Sequence, residues 1–378
     1  TERHDALQYE EGLVMLTTYG TLIADVELFA SLTFSYLILD ESQAVKNRNS
    51  KRFEAAGQLN ARYRIAMTGT PIENSIADLY AQLSFVNPGF FGTFSDFKRT
   101  YPGISDGSAA TETKEELQRV ISPFILRRTK KQVAKELPEK SEMILYCEML
   151  PEQRKIYDEY RVLFKSKLSG SFEEGNAGRS TFLAIEGLMK LRQVCNSPAL
   201  LKDGNYPNAS TKLDEIMVHI SELKEQHKIL VFSAFTTMLS LLKSRLNDLG
   251  VDYAYLDGTT TGDERQEQVQ SFQKKEECRL FLLSLKAGGT GLNLTAADYV
   301  YILDPWWNPA AEAQAIDRCY RIGQDKHVMA YRMICKDSIE EKILDMQAIK
   351  KELAESLIQT DGNILKTLNK DDLLKLFD

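Results

Sequence analysis

The chain has 378 residues and a net charge of −7, with 43% hydrophobic, 27% charged and 9% aromatic side chains. Its length predicts roughly two to three domains. The composition excludes collagen-like, disulfide-stabilised and wholly disordered proteins. The longest apolar runs are too short to cross a bilayer, so no membrane partner is expected. The acidic balance weighs against nucleic-acid binding only weakly, because a basic cleft can exist within an acidic protein.

The cysteines and histidines give no sign of a metal site. The five cysteines are scattered without a Cys-x-x-Cys pair, and the four histidines form no ligand cluster. Free buried thiols in a reducing compartment are therefore predicted. The chain also begins without Met, which predicts a fragment of a longer protein.

Short aliphatic runs, each followed by an amphipathic segment, recur along the chain. The first group lies at residues 14–18, 36–40 and 65–68, and the second at 229–233, 253–257, 280–284 and 300–304. Such unbroken apolar runs are typical of parallel strands covered on both faces. The pattern predicts an α/β fold with two parallel sheets, separated by segments of helical character.

Two adjacent carboxylates, Asp40 and Glu41, follow the predicted strand at 36–40. Ligands of parallel α/β sheets bind at this end of the strands. The pair suits nucleotide hydrolysis, in which Asp40 holds Mg²⁺ through water and Glu41 orients the attacking water. The alternative is that Asp40 caps a loop and Glu41 is merely solvated.

Thr68, Gly69 and Thr70 close the next predicted strand. Their hydroxyls and glycine can change hydrogen-bond partners, as a coupling element requires, but these residues taken alone favour a simple β-turn with Pro71 starting the next helix.

A glycine-rich segment and an arginine pair stand out in the second half. Residues 284–293, Ser-Leu-Lys-Ala-Gly-Gly-Thr-Gly-Leu-Asn, have three glycines that let backbone N–H groups approach an anion. The alternative is a tight strand-to-helix turn. Further on, Arg318 and Arg321 are predicted to share one face of a helix ended by Gly323, which suits phosphate binding. A surface helix paired with nearby acids is the plainer alternative.

Two further features flank these motifs. Both tryptophans stand side by side in residues 304–309, Asp-Pro-Trp-Trp-Asn-Pro, where packing is the commoner role and ligand contact the rarer one. A basic run is predicted to be a solvated helix face, with phosphate contact as the alternative. It consists of Arg127, Arg128, Lys130, Lys131 and Lys135.

The order of these motifs along the whole chain resembles the SWI/SNF family of DNA-dependent ATPases. The match includes Asp-Glu-Ser-Gln at 40–43, Thr-Gly-Thr-Pro at 68–71, Leu-Arg-Arg at 126–128, Leu-Arg-Gln at 191–193 and Arg-Ile-Gly-Gln at 321–324. Gln43 stands where many members have His. The resemblance implies two RecA-like lobes that bind ATP and Mg²⁺ and translocate on double-stranded DNA.

The resemblance also implies a role for each matching residue. Asp40 and Glu41 become the catalytic carboxylates, Arg318 and Arg321 the arginine fingers, and Thr68, Gly69 and Thr70 the coupling element. The remaining implied contacts are ATP-side contacts from Gln314, Gly289 and Gly291, and DNA contacts from Thr290, Asn293, Trp307, Arg127 and Arg128.

The family's Gly-Lys-Thr phosphate loop has no counterpart in this sequence. We therefore expect an incomplete first lobe, with apolar surface left uncovered, and a chain that hydrolyses little ATP alone. The compact insertions suggest a prokaryotic member, which would act in the cytoplasm on the nucleoid; a eukaryotic one would be nuclear. A protein bound to DNA is a further expected partner.

The resemblance implies five segments. They are a partial first lobe (1–75), a helical insertion (76–135), a returning strand of the first lobe (136–150), a second helical insertion (151–208) and a second lobe with a C-terminal brace helix (209–378). Two other functions stay open: a strand-separating nucleic-acid helicase and a non-catalytic scaffold that binds DNA or protein.

Overall fold

A computed structural model describes residues 12–69, 76–104, 110–173, 177–288 and 291–355, together with 374, 376 and 377. These residues form two compact units, of which the first ends at Leu117 and the second begins at Gln118. None of the helices described is both long and apolar enough to cross a membrane.

The first unit has a two-stranded parallel sheet with helices packed on one face. Its elements are α1 (Tyr19–Ala24), α2 (Val26–Ala30), β1 (Thr33–Leu39), a 3-10 turn (Ser42–Val45), α3 (Lys51–Gln58), β2 (Asn60–Ala66), α4 (Ile76–Val86) and α5 (Phe94–Thr100), with α6 (Thr111–Ile121) crossing into the second unit. Leu39 and Ala66 are paired at the ends of the two strands. Leu39 is buried in a small core with Leu22, Val45 and Phe85.

The opposite face of this sheet is exposed. Tyr36 and Ile38 of β1 are 59% and 52% exposed, and their partners Tyr63 and Ile65 of β2 are 47% and 41% exposed. The prediction of a strand buried on both faces is therefore wrong for β1. The reason is that the helices described for this unit pack only against the face that carries Leu37 and Leu39. The expected uncovered apolar surface is present among the described residues.

Residues 14–18 do not form the predicted strand. Residues 13–18 lie outside any helix or strand, and Val14 and Leu16 are 81% and 94% exposed. Their apolar pattern fits a strand, but the sheet described for this unit contains only β1 and β2. A strand without a partner lacks the hydrogen bonds that stabilise it.

The second unit is built on a six-stranded parallel sheet in the order β3-β8-β7-β4-β6-β5. The strands are β3 (Lys140–Cys147), β4 (Ile229–Ser233), β5 (Ala254–Leu256), β6 (Leu280–Ser284), β7 (Tyr299–Ile302) and β8 (Val328–Cys335). The helices are α7 (Lys130–Val133), α8 (Pro151–Glu173), α9 (Ala177–Asn196), α10 (Thr211–Leu223), α11 (Thr236–Asp248), α12 (Gly262–Lys274), α13 (Leu285–Gly288), α14 (Pro309–Ile316) and α15 (Ile339–Glu355). The central strands β4 and β6 are buried on both faces, as their sequences predict.

The assignment of residues 136–150 to the first lobe is wrong. Strand β3 pairs in parallel with β8, from Lys140 opposite Val328 to Cys147 opposite Cys335. The physical reason is that Leu145 and Cys147 pack into the same core as the β8 residue Met333. The other segment boundaries stay predictions.

Helices α8 and α9 lie in the predicted second insertion and pack closely. At Gly187 of α9, an added Cβ would lie 2.8 Å from Cγ of Phe164 in α8. A larger residue here would force these helices apart. The pair forms a core with Cys335 of β8 and Ile339 of α15, which anchors the insertion to the second sheet.

Candidate functional site

The acidic pair lies where β1 ends. The ladder continues past both strands, because Met67 N–H donates to the Leu39 carbonyl at 2.8 Å and Ser42 N–H donates to the Met67 carbonyl at 2.9 Å. Glu41 lies between these contacts in the left-handed region, with φ +48°. A non-glycine residue adopts this conformation only where its surroundings enforce it. The ladder therefore fixes the direction in which Glu41 leaves the sheet.

Both carboxylates are accessible rather than buried. Asp40 is exposed and Glu41 is half-buried. One oxygen of Asp40 accepts the Glu41 N–H at 2.9 Å, so the capping contact of the plainer alternative exists. An accessible carboxylate at a strand end still suits a hard cation, because Mg²⁺ prefers oxygen ligands and keeps several waters.

A chain of side-chain hydrogen bonds joins the acidic pair to the end of β2. Gln43 Nε2 donates to Glu41 Oε2 at 2.7 Å, and Thr68 Oγ1 donates to Gln43 Oε1 at 2.8 Å. The structure thus brings Glu41 and Thr68 together through Gln43. The sequence analysis noted Gln43 only because many family members have His at this position. Gly69 follows directly, and Thr70 lies outside the described residues. The roles of these residues stay predictions.

Tyr19 is a neighbour of the acidic pair that the sequence analysis missed. Its hydroxyl donates to the Asp40 carbonyl at 2.8 Å. Burial raises the pKa of Tyr19 to about 12, and the Asp40 carboxylate adds to the effect. Tyr19 therefore stays a neutral donor at physiological pH. No sequence signal links Tyr19 to Asp40, because Tyr19 lies in α1, a separate element from the strand that carries the acidic pair.

In the second unit, Arg318 and Arg321 lie in a turn rather than on a helix. Helix α14 ends at Ile316, so the predicted shared helical face is wrong. Leu294 N–H donates to the Arg318 carbonyl at 2.9 Å, and Gln324 Nε2 donates to the Cys319 carbonyl at 3.1 Å. One bond from a distant segment and one from a side chain within the turn thus occupy the carbonyls that a longer helix would use. Gly323, with φ +98°, belongs to the turn.

The same turn contacts the end of the glycine-rich segment. Arg321 Nη1 donates weakly to the Leu292 carbonyl at 3.4 Å. Arg321, Gly291 and Asn293 are exposed, and Arg318 is half-buried. The structure therefore places the arginine pair beside the segment 291–294, whereas Gly289 and Thr290 lie outside the described residues. Gln314 is half-buried on α14, within the turn of helix that precedes Arg318.

Lys130 supports this turn, contrary to the prediction of a solvated face. Its Nζ donates to the Tyr320 carbonyl at 2.6 Å and lies 2.9 Å from Asp317 Oδ1. Arg127 and Arg128 are exposed and precede α7, so they do not form a helix face. The long-range partner of Lys130 explains why local charge patterning did not reveal it.

The tryptophan loop, residues 304–309, is anchored near its middle by Glu312 of α14. Trp306 N–H donates to Glu312 Oε1 at 2.6 Å, and Arg332 Nε donates to Glu312 Oε2 at 2.8 Å. The Asn308 side chain accepts the Ala310 N–H at 3.1 Å and so caps α14. Trp307 is half-buried and packs against the α8–α9 core.

An acidic pair at the end of one parallel sheet, and an arginine pair beside a glycine-rich segment on a second, define a helicase-related ATPase core. Residues 2–200 match the family model of the SNF2-related domain, and residues 210–323 match that of the helicase conserved C-terminal domain. The first match covers more than half of the chain, so the chain belongs to the SNF2, or SWI/SNF, family. The resemblance derived from the sequence is confirmed.

Curated relatives and solved structures agree with this assignment. The chain is 35% identical to "Uncharacterized ATP-dependent helicase MG018" of Mycoplasma genitalium, over 100% of the chain and 36% of that protein. It is 37% identical to "Putative ATP-dependent helicase/translocase YwqA" of Bacillus subtilis, over 98% of the chain and 41% of that protein. The chain thus spans less than half the length of these relatives.

The solved structure titled "Sulfolobus solfataricus SWI2/SNF2 ATPase core in complex with dsDNA" is 34% identical, with a TM-score of 0.53. The comparison covers 100% of the chain and 79% of that structure. The predicted fold class, parallel α/β with two RecA-like lobes, is confirmed by this likeness together with the two parallel sheets.

Proposed function

We propose that this chain is part of an ATP-driven motor that translocates along double-stranded DNA. The observation that carries the proposal is the hydrogen-bond chain from Glu41 through Gln43 to Thr68. Through Gln43, it connects a carboxylate suited to orienting water to the segment that follows β2. The names of the relatives and the DNA in the Sulfolobus structure support the choice of ATP and duplex DNA.

In this proposal the acidic and the basic residues have separate roles in ATP hydrolysis. Asp40 would hold Mg²⁺, which neutralises phosphate charge when bound, and Glu41 would orient the attacking water. Arg318 and Arg321 would stabilise the charge that develops on the transferred phosphoryl group. Gln314 and the glycines at 289 and 291 would contact the nucleotide, and Thr68 with its neighbours would report its state.

The affinity for DNA would come mainly from phosphate contacts. Binding would therefore be sensitive to salt and largely independent of the DNA sequence. The contacts proposed are Thr290, Asn293, Trp307, Arg127 and Arg128. Of these, Arg127, Arg128 and Asn293 are exposed, as phosphate contact requires. A protein bound to the same DNA would be displaced by the motion. The motor would act in the cytoplasm on the nucleoid if the source is prokaryotic, and in the nucleus if it is eukaryotic.

The chain by itself is proposed to hydrolyse little ATP. Its sequence contains no Gly-Lys-Ser or Gly-Lys-Thr, the residues that cradle the β- and γ-phosphates in P-loop enzymes. The decisive experiment compares ATP hydrolysis by this chain and by the full-length product of its gene, each with and without duplex DNA. We expect DNA-stimulated hydrolysis from the full-length protein only, and none from its Glu41→Gln variant. Hydrolysis that duplex DNA leaves unchanged would contradict the proposal.

A strand-separating helicase is the second candidate, favoured by the word helicase in the names of the relatives. A duplex with one labelled strand distinguishes the two: a translocase hydrolyses ATP without releasing that strand. A non-catalytic scaffold would bind DNA or protein, but neither this chain nor the full-length protein would hydrolyse ATP.

A further inference from the structure

Arg192 of α9 is a buried cation with few hydrogen bonds. Its side chain is 0% exposed. Nη2 donates to the Pro305 carbonyl at 2.7 Å and lies 3.7 Å from Asp304 Oδ2. Nε and Nη1 are buried and have no hydrogen-bond partner among the described residues. A buried charge this poorly solvated requires other compensation.

Besides the Asp304 carboxylate, three aromatic rings contribute to that compensation. The guanidinium carbon lies 5.1 Å from the ring centroid of Phe235, 5.4 Å from that of Trp306 and 5.8 Å from that of Trp307. The faces of aromatic rings attract cations, and the attraction grows when water is excluded. Arg192 therefore interacts with both indole rings of the tryptophan loop and with the backbone between Asp304 and Trp306.

The residue at the start of the loop is itself held in place. Ser233 Oγ donates to Asp304 Oδ1 at 2.5 Å, and Ala234 N–H donates to Asp304 Oδ2 at 2.9 Å. The carboxylate near Arg192 is thus fixed to the end of β4. If the rings moved away, the guanidinium would keep the Asp304 carboxylate but lose its ring contacts and its cover from water. The loop conformation and the burial of Arg192 therefore depend on each other.

We propose that Arg192 is a positioning residue that sets the conformation of the tryptophan loop, and thereby the presentation of Trp307 to duplex DNA. The presentation of Trp307 to duplex DNA rests on the proposed function. A flat guanidinium contacts three rings and a carbonyl at once, whereas a lysine ammonium is a point charge without a planar face. Charge alone is therefore insufficient at this position.

The test uses the chain's own fluorescence, because both of its tryptophans lie in this loop. Arg192→Lys keeps the charge, and Arg192→Met keeps the bulk. Lys228→Met is the matched control: Lys228 is another buried cation of the second unit, and its Nζ donates to the carbonyls of Phe272 and Lys275. Acrylamide quenching, the emission maximum, the melting temperature and the affinity for a random duplex are measured for each variant.

We expect Arg192→Lys to increase quenching, shift emission to the red and weaken duplex binding about tenfold. Lys228→Met lowers the melting temperature without these changes. Quenching and emission that remain as in the parent chain would overturn the proposal, even if stability falls. A changed loop with unchanged duplex affinity would overturn the link to DNA. If neither this chain nor the full-length protein binds duplex, the proposed function fails, and the fluorescence alone decides whether Arg192 positions the loop. If Arg192→Met does not fold, the lysine variant carries the test.

Discussion

Lys212 and Glu340 form an ion pair in the interior of the second unit, with Nζ 2.7 Å from Oε1 and neither side chain exposed. Lys212 also donates to the Leu303 carbonyl at 2.6 Å, and Glu340 accepts the Cys335 N–H at 2.9 Å. Burial alone would lower the pKa of Lys212, but the adjacent Glu340 carboxylate raises it above its usual range. The pair joins α10 to α15, and its further hydrogen bonds reach Cys335 at the end of β8 and Leu303, directly before the tryptophan loop.

Removing one partner of this pair is expected to destabilise the fold strongly. Lys212→Met leaves the Glu340 carboxylate buried without its cation, at a cost of about 3–5 kcal/mol. Urea unfolding of the second unit measures this cost, with the exposed Lys202→Met as the control. The double variant with Glu340→Gln should lose less than the sum of the single losses, because no buried charge is left alone. Additive losses would argue against a coupled pair.

The hydroxyl of Thr68 is expected to matter for hydrolysis. In the full-length protein, Thr68→Val removes the donor to Gln43 and frees the amide that holds Glu41. One hydrogen bond of about 1–2 kcal/mol corresponds to a loss of about tenfold in the rate of ATP hydrolysis. Thr68→Ser keeps the hydroxyl and should retain most of the rate. Equal losses in both variants would place the effect in packing rather than in the hydrogen bond.

Arg321 is expected to contribute to ATP hydrolysis and not to the affinity for duplex DNA. Arg321→Ala in the full-length protein should reduce ATP hydrolysis by about 10³-fold or more, the effect of a missing arginine finger. Its affinity for duplex DNA should stay within a few fold of the parent. Lys326→Ala, which removes a nearby exposed cation, should leave hydrolysis intact. A parallel loss of hydrolysis and DNA affinity after Arg321→Ala would contradict the assigned role.

The lowered pKa of Glu142 predicts how the free energy of unfolding changes as the pH falls. Burial alone would raise the pKa of Glu142, but the hydrogen bond from Lys140 and the Arg332 guanidinium bring it below the usual 4.5. Lys140 Nζ lies 2.6 Å from Oε1, and Arg332 Nη2 lies 2.9 Å from Oε2. A depressed carboxyl pKa contributes stability that is present above the unfolded value and lost as pH falls through the folded value.

The parent chain should therefore lose stability below pH 4.5 more steeply than Glu142→Gln. Urea midpoints measured from neutral pH into this acid range test the difference. Glu139→Gln serves as the comparison. Glu139 is close to Glu142 in the sequence, but no ion pair joins it to Arg332 in the described part of the chain. Parallel curves for the parent and Glu142→Gln would show that this carboxylate contributes nothing to the acid response.

Interactions that are local in the chain were predictable. The runs at 229–233 and 280–284 became β4 and β6 with the predicted bounds, and these two unbroken aliphatic strands are buried on both faces, as such runs predict. The order of short motifs indicated the family, since each motif is readable without knowing where the chain folds. Asp40, Glu41 and Thr68 could be named for the same reason.

The tertiary structure decided what depends on partners distant in sequence. It placed β3 beside β8, ended α14 before Arg318, and paired Lys130 with the turn around Tyr320. It also buried Arg192 among aromatic rings, although arginine is usually exposed. In each case a hydrogen bond or ring contact supplied by another segment outweighs the local preference, and no pattern within one segment records which partner it will meet.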